Sequence, residues 1–219
     1  PFLKKTDGFI SIFSWFSIIG ITIGVAAIII VMAVMNGFRE ELTTRMLGIN
    51  GHLNIYGSSK SIDLENVNSL KKIDSNFYIN PITQTQALLV SKDMSRGVMI
   101  KGFDNNFLNE KHFLFTKIIE GSIFKKESND IVIGYVLARK LGLNINDKIK
   151  IAIPKSDKTI FGNIPRFKTL SITGIFNLGM YEYDSNFVFT HSNITNKLLL
   201  LEKNHFNQIE VFIDNPYSV

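Results

Sequence analysis

Glu182 and Asp184 come closest to what an acid–base pair would require, because they are two carboxylates separated by one residue in a tyrosine-rich segment. In a strand both side chains would point to the same face. General acid–base catalysis also needs a nucleophile or a neighbour that shifts a pKa, and the surrounding sequence offers neither. We therefore predict a structural turn here, with catalysis as the weaker alternative.

Metal-binding residues are also sparse. The four histidines, His52, His112, His191 and His205, are far apart, and no two have the spacing that places a pair of imidazoles on one metal ion. The chain has no cysteine, which excludes a disulfide framework and a thiolate site. The sequence thus predicts no metal site and no cofactor.

Motifs for nucleotide binding or activated nucleophiles are missing: there is no G-x-x-x-x-G-K-[ST], G-x-S-x-G or H-E-x-x-H. The net charge of +5 is spread over single Lys and Arg residues, without the basic stripe of a nucleic-acid-binding protein. Asn193-Ile194-Thr195 matches a glycosylation acceptor, but chance better explains so short a pattern. We predict neither enzymatic activity nor nucleic-acid binding.

The N-terminal part of the chain contains a long uncharged run. Residues 8–38 contain no charged side chain, whereas about 20 apolar residues are enough to cross a bilayer. A secretory signal has an apolar stretch of only about 7–15 residues. A transmembrane helix is predicted, with an uncleaved signal anchor as the nearest alternative and a buried core helix well behind. The flanking basic residues balance, so they give no orientation.

Small residues recur every three or four positions inside this segment, at Ser14, Ser17, Gly20, Gly24 and Ala27. Helices in lipid associate by close backbone approach at such residues, and Gly20 and Gly24 form a G-x-x-x-G pair. Ser17, Gly20, Gly24 and Ala27 are therefore predicted to pack against another membrane helix. The alternative is that glycine is simply common in membrane helices.

The helical pattern continues beyond the apolar run, with an apolar stripe at Met35, Phe38, Leu42, Met46 and Ile49. A single helix over residues 9–47, longer than the bilayer is thick, is predicted to end near two glycines at positions 48 and 51. Its outer turns, residues 35–47, would form a rigid stalk.

An α+β domain is predicted after the stalk, giving a division into residues 1–48 and 49–219. The predicted strands cover residues 52–56, 83–91, 97–101, 130–134, 148–153, 167–176, 186–190 and 208–214. The predicted helices carry Leu64, Val67, Leu70 and Ile73, then span residues 135–141, closed by Gly142, and residues 193–201. Residues 92–96 are predicted as a turn, and residues 154–166, with a proline near each end, as a projecting loop. The chain is expected to be a fragment, because it begins with Pro1 rather than Met. The domain is expected to be incomplete at its C-terminus, because the chain ends without a terminating element.

Several motifs carry a family resemblance, and they occur along almost the whole chain: GFIS at 8–11, VMNGF at 34–38, NGHL at 50–53, LARKLGL at 137–143, and GIF at 174–176 leading into GMYEYDS at 179–185. With these motifs the chain resembles the LolC and LolE family, the permease subunits of the bacterial lipoprotein-releasing ABC transporter.

The resemblance implies a four-helix permease of about twice this length, multi-pass in the cell inner membrane, with its large domain in the periplasm. Its implied partners are ABC ATPase subunits, a second permease of the same or a related kind, a lipoprotein substrate and a periplasmic lipoprotein chaperone. ATP hydrolysis by the partner subunits would move the periplasmic domains, so that a lipoprotein leaves the membrane and passes to the chaperone.

The resemblance also assigns sites. The first helix would line the cavity for the lipid chains, with Ile19, Ile23, Ile30 and Met35 on faces away from the small residues. Residues 154–166 would be the hook that binds the chaperone, and the candidate residues are Pro154, Ile160, Phe161, Gly162, Ile164, Pro165 and Arg166. The alternative for this segment is a plain hairpin connection.

Two other functions stay open. One is another mechanotransmission ABC permease, which exports a drug, peptide or toxin or regulates a cell-wall hydrolase. The other is a single-span receptor whose outer domain binds a ligand. Whether the permease pairs with itself or with a distinct partner, and which lipoproteins it carries, also stay open.

Overall fold

The computed structural model describes residues 7–57, 61–72, 77–91, 94–104, 106, 108, 113–125, 128–159 and 162–213. The chain divides into two units, Pro1–Ile49 and Asn50–Val219. The first is described by a single helix and the second by an α+β domain, which is the fold class that the sequence predicts.

Helix α1 runs without interruption from Asp7 to Ile49, which is 43 residues. At 1.5 Å per residue it is about 65 Å long, roughly twice the thickness of the hydrocarbon core of a bilayer. Its segment Ser11–Thr43 is long and apolar enough to cross a membrane, with a mean hydropathy of 2.9, and none of it is buried. The single long helix predicted over residues 9–47 is therefore confirmed, and a helix buried in the core of this chain is excluded.

The second unit alternates strands and short helices. Its elements are β1 (Leu53–Tyr56), α2 (Leu64–Lys71), β2 (Tyr78–Ser91), β3 (Met94–Phe103), α3 (Phe113–Thr116), β4 (Ile118–Gly121), β5 (Asp130–Gly134), α4 (Tyr135–Leu141), β6 (Lys148–Thr159), β7 (Gly162–Phe176), α5 (Tyr181–Asn186), β8 (Phe187–His191), α6 (Ser192–Leu199) and β9 (Gln208–Phe212).

Six of these strands pair in a closed circuit. The order is β2, β3, β8, β5, β7 and β6, and β6 returns to β2 by pairing its residues 150–152 with residues 88–90. The first part of β2 pairs instead with β9, which carries β1 on its far side, and β4 is added beside β7. Closure of this kind removes exposed strand edges from the centre of the domain.

The main hydrophobic core draws residues from all six strands of the circuit and from α4 and α6, for example Leu89, Ile100, Ile133, Ile151 and Val188. Strand β6 shows the alternation most clearly, because Ile149 and Ile151 are buried whereas Lys148 and Lys150 are exposed. The period of two in the sequence therefore identified the inward face of this strand correctly.

A second core lies under α2, where Val67 packs with Ile79, Phe206, Ile209 and Val211. Val67 is fully buried, and the three-residue spacing of the predicted helix placed it on the inner face. Helix α4 also agrees with the sequence, since it spans Tyr135–Leu141 and Gly142 closes it in the left-handed conformation at φ 59°.

Two local predictions in this unit were wrong, and two short elements were not predicted. Met94, predicted in a turn, belongs to β3, which starts three residues earlier than expected. The tyrosine-rich segment is a helix, α5, rather than part of a strand or turn alone. Helix α3 and strand β4 were not predicted, because four-residue elements are too short for periodicity to reveal.

Candidate functional site

The outer part of the β6–β7 hairpin leaves the closed circuit. β6 pairs with β2 only as far as Ala152, while the pairing of β6 with β7 continues beyond a register shift to Thr159 and Gly162. Residues 154–159 and 162–166 therefore form a two-stranded segment that pairs with no other described strand, and we call it the ribbon. Most of the segment predicted as an irregular loop is thus paired backbone, which the flanking prolines concealed in the sequence.

The predicted hook residues are distributed over this ribbon. Pro154 lies in β6, and Gly162, Ile164, Pro165 and Arg166 lie in β7. The remaining two, Ile160 and Phe161, lie outside the described residues. Pro165 is exposed, whereas Arg166 is half-buried, so the structure separates an outer part of the ribbon from its base.

Arg166 fastens the base of the ribbon to α6. Its Nη1 donates a hydrogen bond of 2.9 Å to the backbone carbonyl oxygen of Leu198, next to the last residue of that helix. The final carbonyl groups of a helix have no partner within it and carry partial negative charge, so a guanidinium group there is stabilising. Arg166 therefore orients the ribbon and does not extend from it freely.

A positively charged cleft opens beside this base. It has a volume of about 430 Å³ and is lined by Lys168, Lys197, Lys203, Asn129 and Asn193 together with four further residues, none of them acidic. The three lysines come from β7, from α6 and from the segment after α6. The sequence did not indicate this cleft, because Lys197 and Lys203 lie about 30 or more residues beyond Lys168 along the chain.

The predicted packing and cavity residues of α1 are exposed in the part of the chain that the structure describes. Ser17 and Ala27 are exposed, and a Cβ atom added at Gly20 or Gly24 would meet no atom within 4 Å. The cavity candidates are similarly open, with exposed fractions of 47% for Ile19, 63% for Ile23, 61% for Ile30 and 60% for Met35. Both assignments stay predictions.

Three of the four predicted cavity residues lie on one side of α1. Successive residues are about 100° apart around a helix, so Ile19, Ile23 and Ile30 fall within about 40° of one another and roughly 100° from the middle of the small-residue stripe. Met35 follows Ser17 by five whole turns and lies on the same side as that residue. An ideal helix thus places Met35 apart from the three isoleucines, and its assignment to the cavity stays a prediction.

Glu182 and Asp184 do not form a carboxylate pair. They lie in helix α5, where residues two apart do not face each other. Asp184 is 2% exposed and its Oδ1 accepts a hydrogen bond of 2.8 Å from the backbone N–H of Leu178. Burial raises the pKa of Asp184, and hydrogen bonds from backbone N–H groups of residues 178–180 oppose that rise. The shared face expected of a strand is thus absent, and Asp184 fastens the turn before α5.

The described histidines have separate structural roles. His52 Nδ1 accepts a hydrogen bond of 2.9 Å from the backbone N–H of Ile213, and His191 Nδ1 caps α6 by accepting from Asn193 N–H at 3.2 Å. His205 lies 4.0 Å from Glu202. Within the part of the chain that the structure describes, no three side chains of the metal-binding types cluster. His112 lies outside the described residues.

A buried ion pair was missed by the sequence reasoning. Lys101 Nζ and Glu210 Oε1 are 2.6 Å apart, and both side chains are 1% exposed. The face of the sheet that carries Lys101 is covered, because Phe189, which is paired in register with Lys101, packs against Phe176 with ring centroids 4.8 Å apart. Gly51 offers a sequence signal: a Cβ there would lie 2.7 Å from Glu210 Cβ, so only glycine fits.

Comparisons with known proteins agree with this architecture. Residues 14–217 match the family model described as the MacB-like periplasmic core domain. The lipoprotein-releasing system transmembrane protein LolC of Neisseria meningitidis serogroup B is 30% identical over 213 residues, covering 91% of this chain and 49% of the relative. LolC of Xylella fastidiosa is 28% identical over 203 residues, again covering 91% and 49%. The chain therefore spans about half the length of the curated relatives it matches.

Among solved structures, the extracellular domain of the noncanonic ABC-type transporter YknZ from Gram-positive bacteria has a TM-score of 0.51 and 11% identity, and the match covers 74% of this chain and 82% of that one. At that identity the likeness shows the fold alone. The family match over nearly the whole chain is more specific, and the relatives confirm the resemblance that the sequence motifs predicted. The chain is similar to LolC and belongs to the MacB-like periplasmic core domain family.

Proposed function

We propose that this chain is part of a permease subunit of an ABC transporter that releases lipoproteins from the inner membrane, and that the second unit lies in the periplasm. The supporting observation is the similarity to LolC over 91% of the chain. The continuous 43-residue helix α1 fits the role, because a rigid helix longer than the bilayer can carry movement from partner ATPases to a domain outside the membrane.

In this proposal the chain works with two cytoplasmic ATPase subunits and a second permease, and it binds no nucleotide itself. The cargo is an acylated lipoprotein, whose lipid chains would contact the side of α1 that carries Ile19, Ile23 and Ile30. Gly20 and Gly24, on a different side of α1, would instead contact a neighbouring membrane helix.

The decisive experiment is reconstitution of the full-length permease with its ATPases and second permease in liposomes that contain a fluorescent lipoprotein. ATP together with a soluble periplasmic chaperone should transfer the lipoprotein to the aqueous phase, and an ATPase subunit with its catalytic residue removed should abolish transfer. Normal ATP hydrolysis without any lipoprotein transfer would contradict the proposal.

The ribbon is proposed as the chaperone-binding element. It leaves the closed circuit, its base is fixed by Arg166, and a cleft with three lysines opens beside that base. A two-stranded ribbon loses less conformational entropy on binding than a free loop, and a charged rim directs the approach of an acidic partner. Phe161 is the aromatic anchor that we expect to carry most of the binding energy.

The test is a titration of the chaperone against the purified permease, either unchanged or carrying Phe161→Ala. The substitution should weaken binding about thirtyfold, equivalent to about 2 kcal/mol. Phe115→Ala is the matched control, because Phe115 is a 45% exposed phenylalanine in α3, outside the ribbon. Equal binding by all three proteins would contradict the assignment of Phe161 as the anchor, and equal binding by a variant with residues 156–163 replaced by Gly and Ser would show that the ribbon is only a connection.

The helix-packing assignment has its own matched pair. Gly20→Leu should lower the amount of second permease that co-purifies, because a bulky side chain separates the two backbones. Gly37→Leu is the control, since Gly37 is as open as Gly20 but lies on the side of Ile19. The same recovery of the second permease with both variants would contradict the assignment.

A further inference from the structure

Helix α5 is held in place by the turn that precedes it. Gly179 adopts a left-handed backbone conformation at φ 71°, and the buried Asp184 accepts a hydrogen bond from Leu178 N–H. Gly134 allows the close approach of this segment, because a Cβ there would lie 2.2 Å from the carbonyl oxygen of Asp184. The turn therefore fixes the directions in which the side chains of α5 point.

Two tyrosines of α5 have opposite surroundings. Tyr183 is half-buried: its ring stacks on Phe187 with centroids 4.7 Å apart, and its hydroxyl accepts a hydrogen bond of 2.6 Å from Asn50 Nδ2. Tyr181, in contrast, is 60% exposed. The stability of the domain explains Tyr183 but gives no reason for an exposed aromatic ring at position 181.

Two cations of α4 lie against tyrosine rings, one against the exposed Tyr181 and one against the half-buried Tyr135. The Lys140 ammonium group lies 4.6 Å from the ring centroid of Tyr181 and donates a hydrogen bond to its hydroxyl. One residue earlier, the Arg139 guanidinium group lies 5.8 Å from the ring centroid of Tyr135. Both cations are exposed, so each aromatic ring is paired with a positive charge that still faces solvent. We call these four residues the tyrosine–cation surface.

We propose that the tyrosine–cation surface binds an acidic segment of a partner protein, with a carboxylate of the partner between Arg139 and Lys140 and an apolar side chain on the Tyr181 ring. Tyrosine and arginine are enriched among the residues that dominate protein interfaces. The contacts between Lys140 and Tyr181 hold both side chains in place before binding, which lowers the entropy lost on association. A carboxylate of the partner would supply a negative charge next to the two cations.

Charge also separates a protein partner from a membrane surface. Recognition of anionic lipid typically uses clusters of about four to eight basic residues. This surface offers two, and the exposed carboxylate of Glu182 lies next to Tyr181 in α5. Two cations beside one carboxylate are too few for an anionic membrane surface, whereas a single carboxylate of a protein can bind the Arg139 guanidinium group directionally. The surface thus fits a protein segment better than a lipid surface.

The proposal rests on the proposed function only in that it places the chain in a multi-subunit transporter. The test introduces the photo-crosslinking residue p-benzoylphenylalanine at Tyr181 of the full-length permease in the assembled transporter. Illumination should join it to another protein, at a peptide that contains Asp or Glu. The control position is Tyr56 of β1, which is 68% exposed and has no part in the surface.

Charge dependence decides the outcome. Arg139→Glu with Lys140→Glu should reduce the adduct at least tenfold, whereas Arg139→Lys with Lys140→Arg should retain most of it. An adduct with lipid alone, an adduct of equal yield in both double variants, or no adduct above the Tyr56 control would overturn the proposal. Lipoprotein release is measured on the same preparation, so that failure of this surface in a transporting complex is distinguished from failure of the proposed function.

Discussion

The domain contains two long β-hairpins that differ in how much of their length is flanked. In the first hairpin, β2 pairs with β9 at residues 78–82 and with β6 at residues 88–90, and β3 pairs with β8 at residues 99–103. β6 and β7 have such neighbours only in their inner parts, and residues 162–170 of β7 pair with β6 alone. The β2–β3 hairpin therefore has β6 beside it almost to its turn, whereas the β6–β7 hairpin carries a ribbon beyond its flanking strands.

This difference separates stability from recognition within one sheet. The inner part of β6 buries Ile149, Ile151 and Ile153 in the main core, whereas the ribbon has no flanking strand to stabilise it. Residues inside the circuit should therefore determine unfolding, and residues in the ribbon should be free to contact a partner. Four substitutions test this contrast by calorimetric unfolding of the detergent-solubilised permease, where 1 kcal/mol corresponds to about 2–4 °C in Tm for a domain of this size.

The largest effect is expected where β3 is tied to β9. Glu210→Ala should destabilise the domain by about 4 kcal/mol, because Lys101 would remain buried without its partner. The control replaces both members with apolar residues, Lys101→Met with Glu210→Leu, and should recover most of the loss. A small effect of Glu210→Ala would mean that the β2–β3 hairpin is less enclosed than the structure indicates.

A somewhat smaller effect is expected inside β6. Ile151→Ala should cost about 3 kcal/mol, because it leaves a cavity in the main core at a fully buried position. Its neighbour Lys150 is exposed, and Lys150→Ala should change stability by less than about 0.5 kcal/mol. Similar values for the two variants would contradict the inward alternation of β6.

Much of this architecture could be predicted from the sequence. The uncharged run of residues 8–38 is so long that only a helix outside the core accommodates it. Alternation identified β6, and a glycine beyond Leu141 ended α4. These signals are local, because each element carries its own period and its own end.

The features that the sequence did not predict depend on contacts between residues that are far apart along the chain. The pairing of Lys101 with Glu210 joins strands 109 residues apart, and the fixed turn before α5 depends on Asp184 and Gly134 meeting across the fold. Pro154 and Pro165 make the sequence predict a loop here, because proline lacks a backbone N–H and is rare within strands except at edges and bulges. A ribbon without flanking strands consists of two edges, and therefore it tolerates both.

Arg166, at the base of the ribbon, lies between the part of the hairpin that stabilises the domain and the part proposed to bind a partner. Arg166→Ala removes one hydrogen bond to the end of α6, and we expect a loss of about 1 kcal/mol. Arg166→Lys keeps the charge but shortens the side chain, so it should recover part of the loss through attraction to the helix end. Chaperone affinity should fall in both variants if orientation of the ribbon matters. An unchanged Tm for Arg166→Ala would show that α6 does not hold the ribbon.

The smallest effect is expected for removal of the outer ribbon. Replacing residues 156–163 with an Asn-Gly turn leaves the β6–β2 pairs at 150–152 and the core residues of β6 in place. The free energy of unfolding should therefore change by less than about 0.5 kcal/mol, which corresponds to about 2 °C at most in Tm. Ile151→Ala in the same strand is the matched contrast, because it alters the inner part of the hairpin only. A large drop in Tm for the shortened ribbon would mean that its residues pack on the domain, and the division between a stabilising inner part and a recognising outer part would fail.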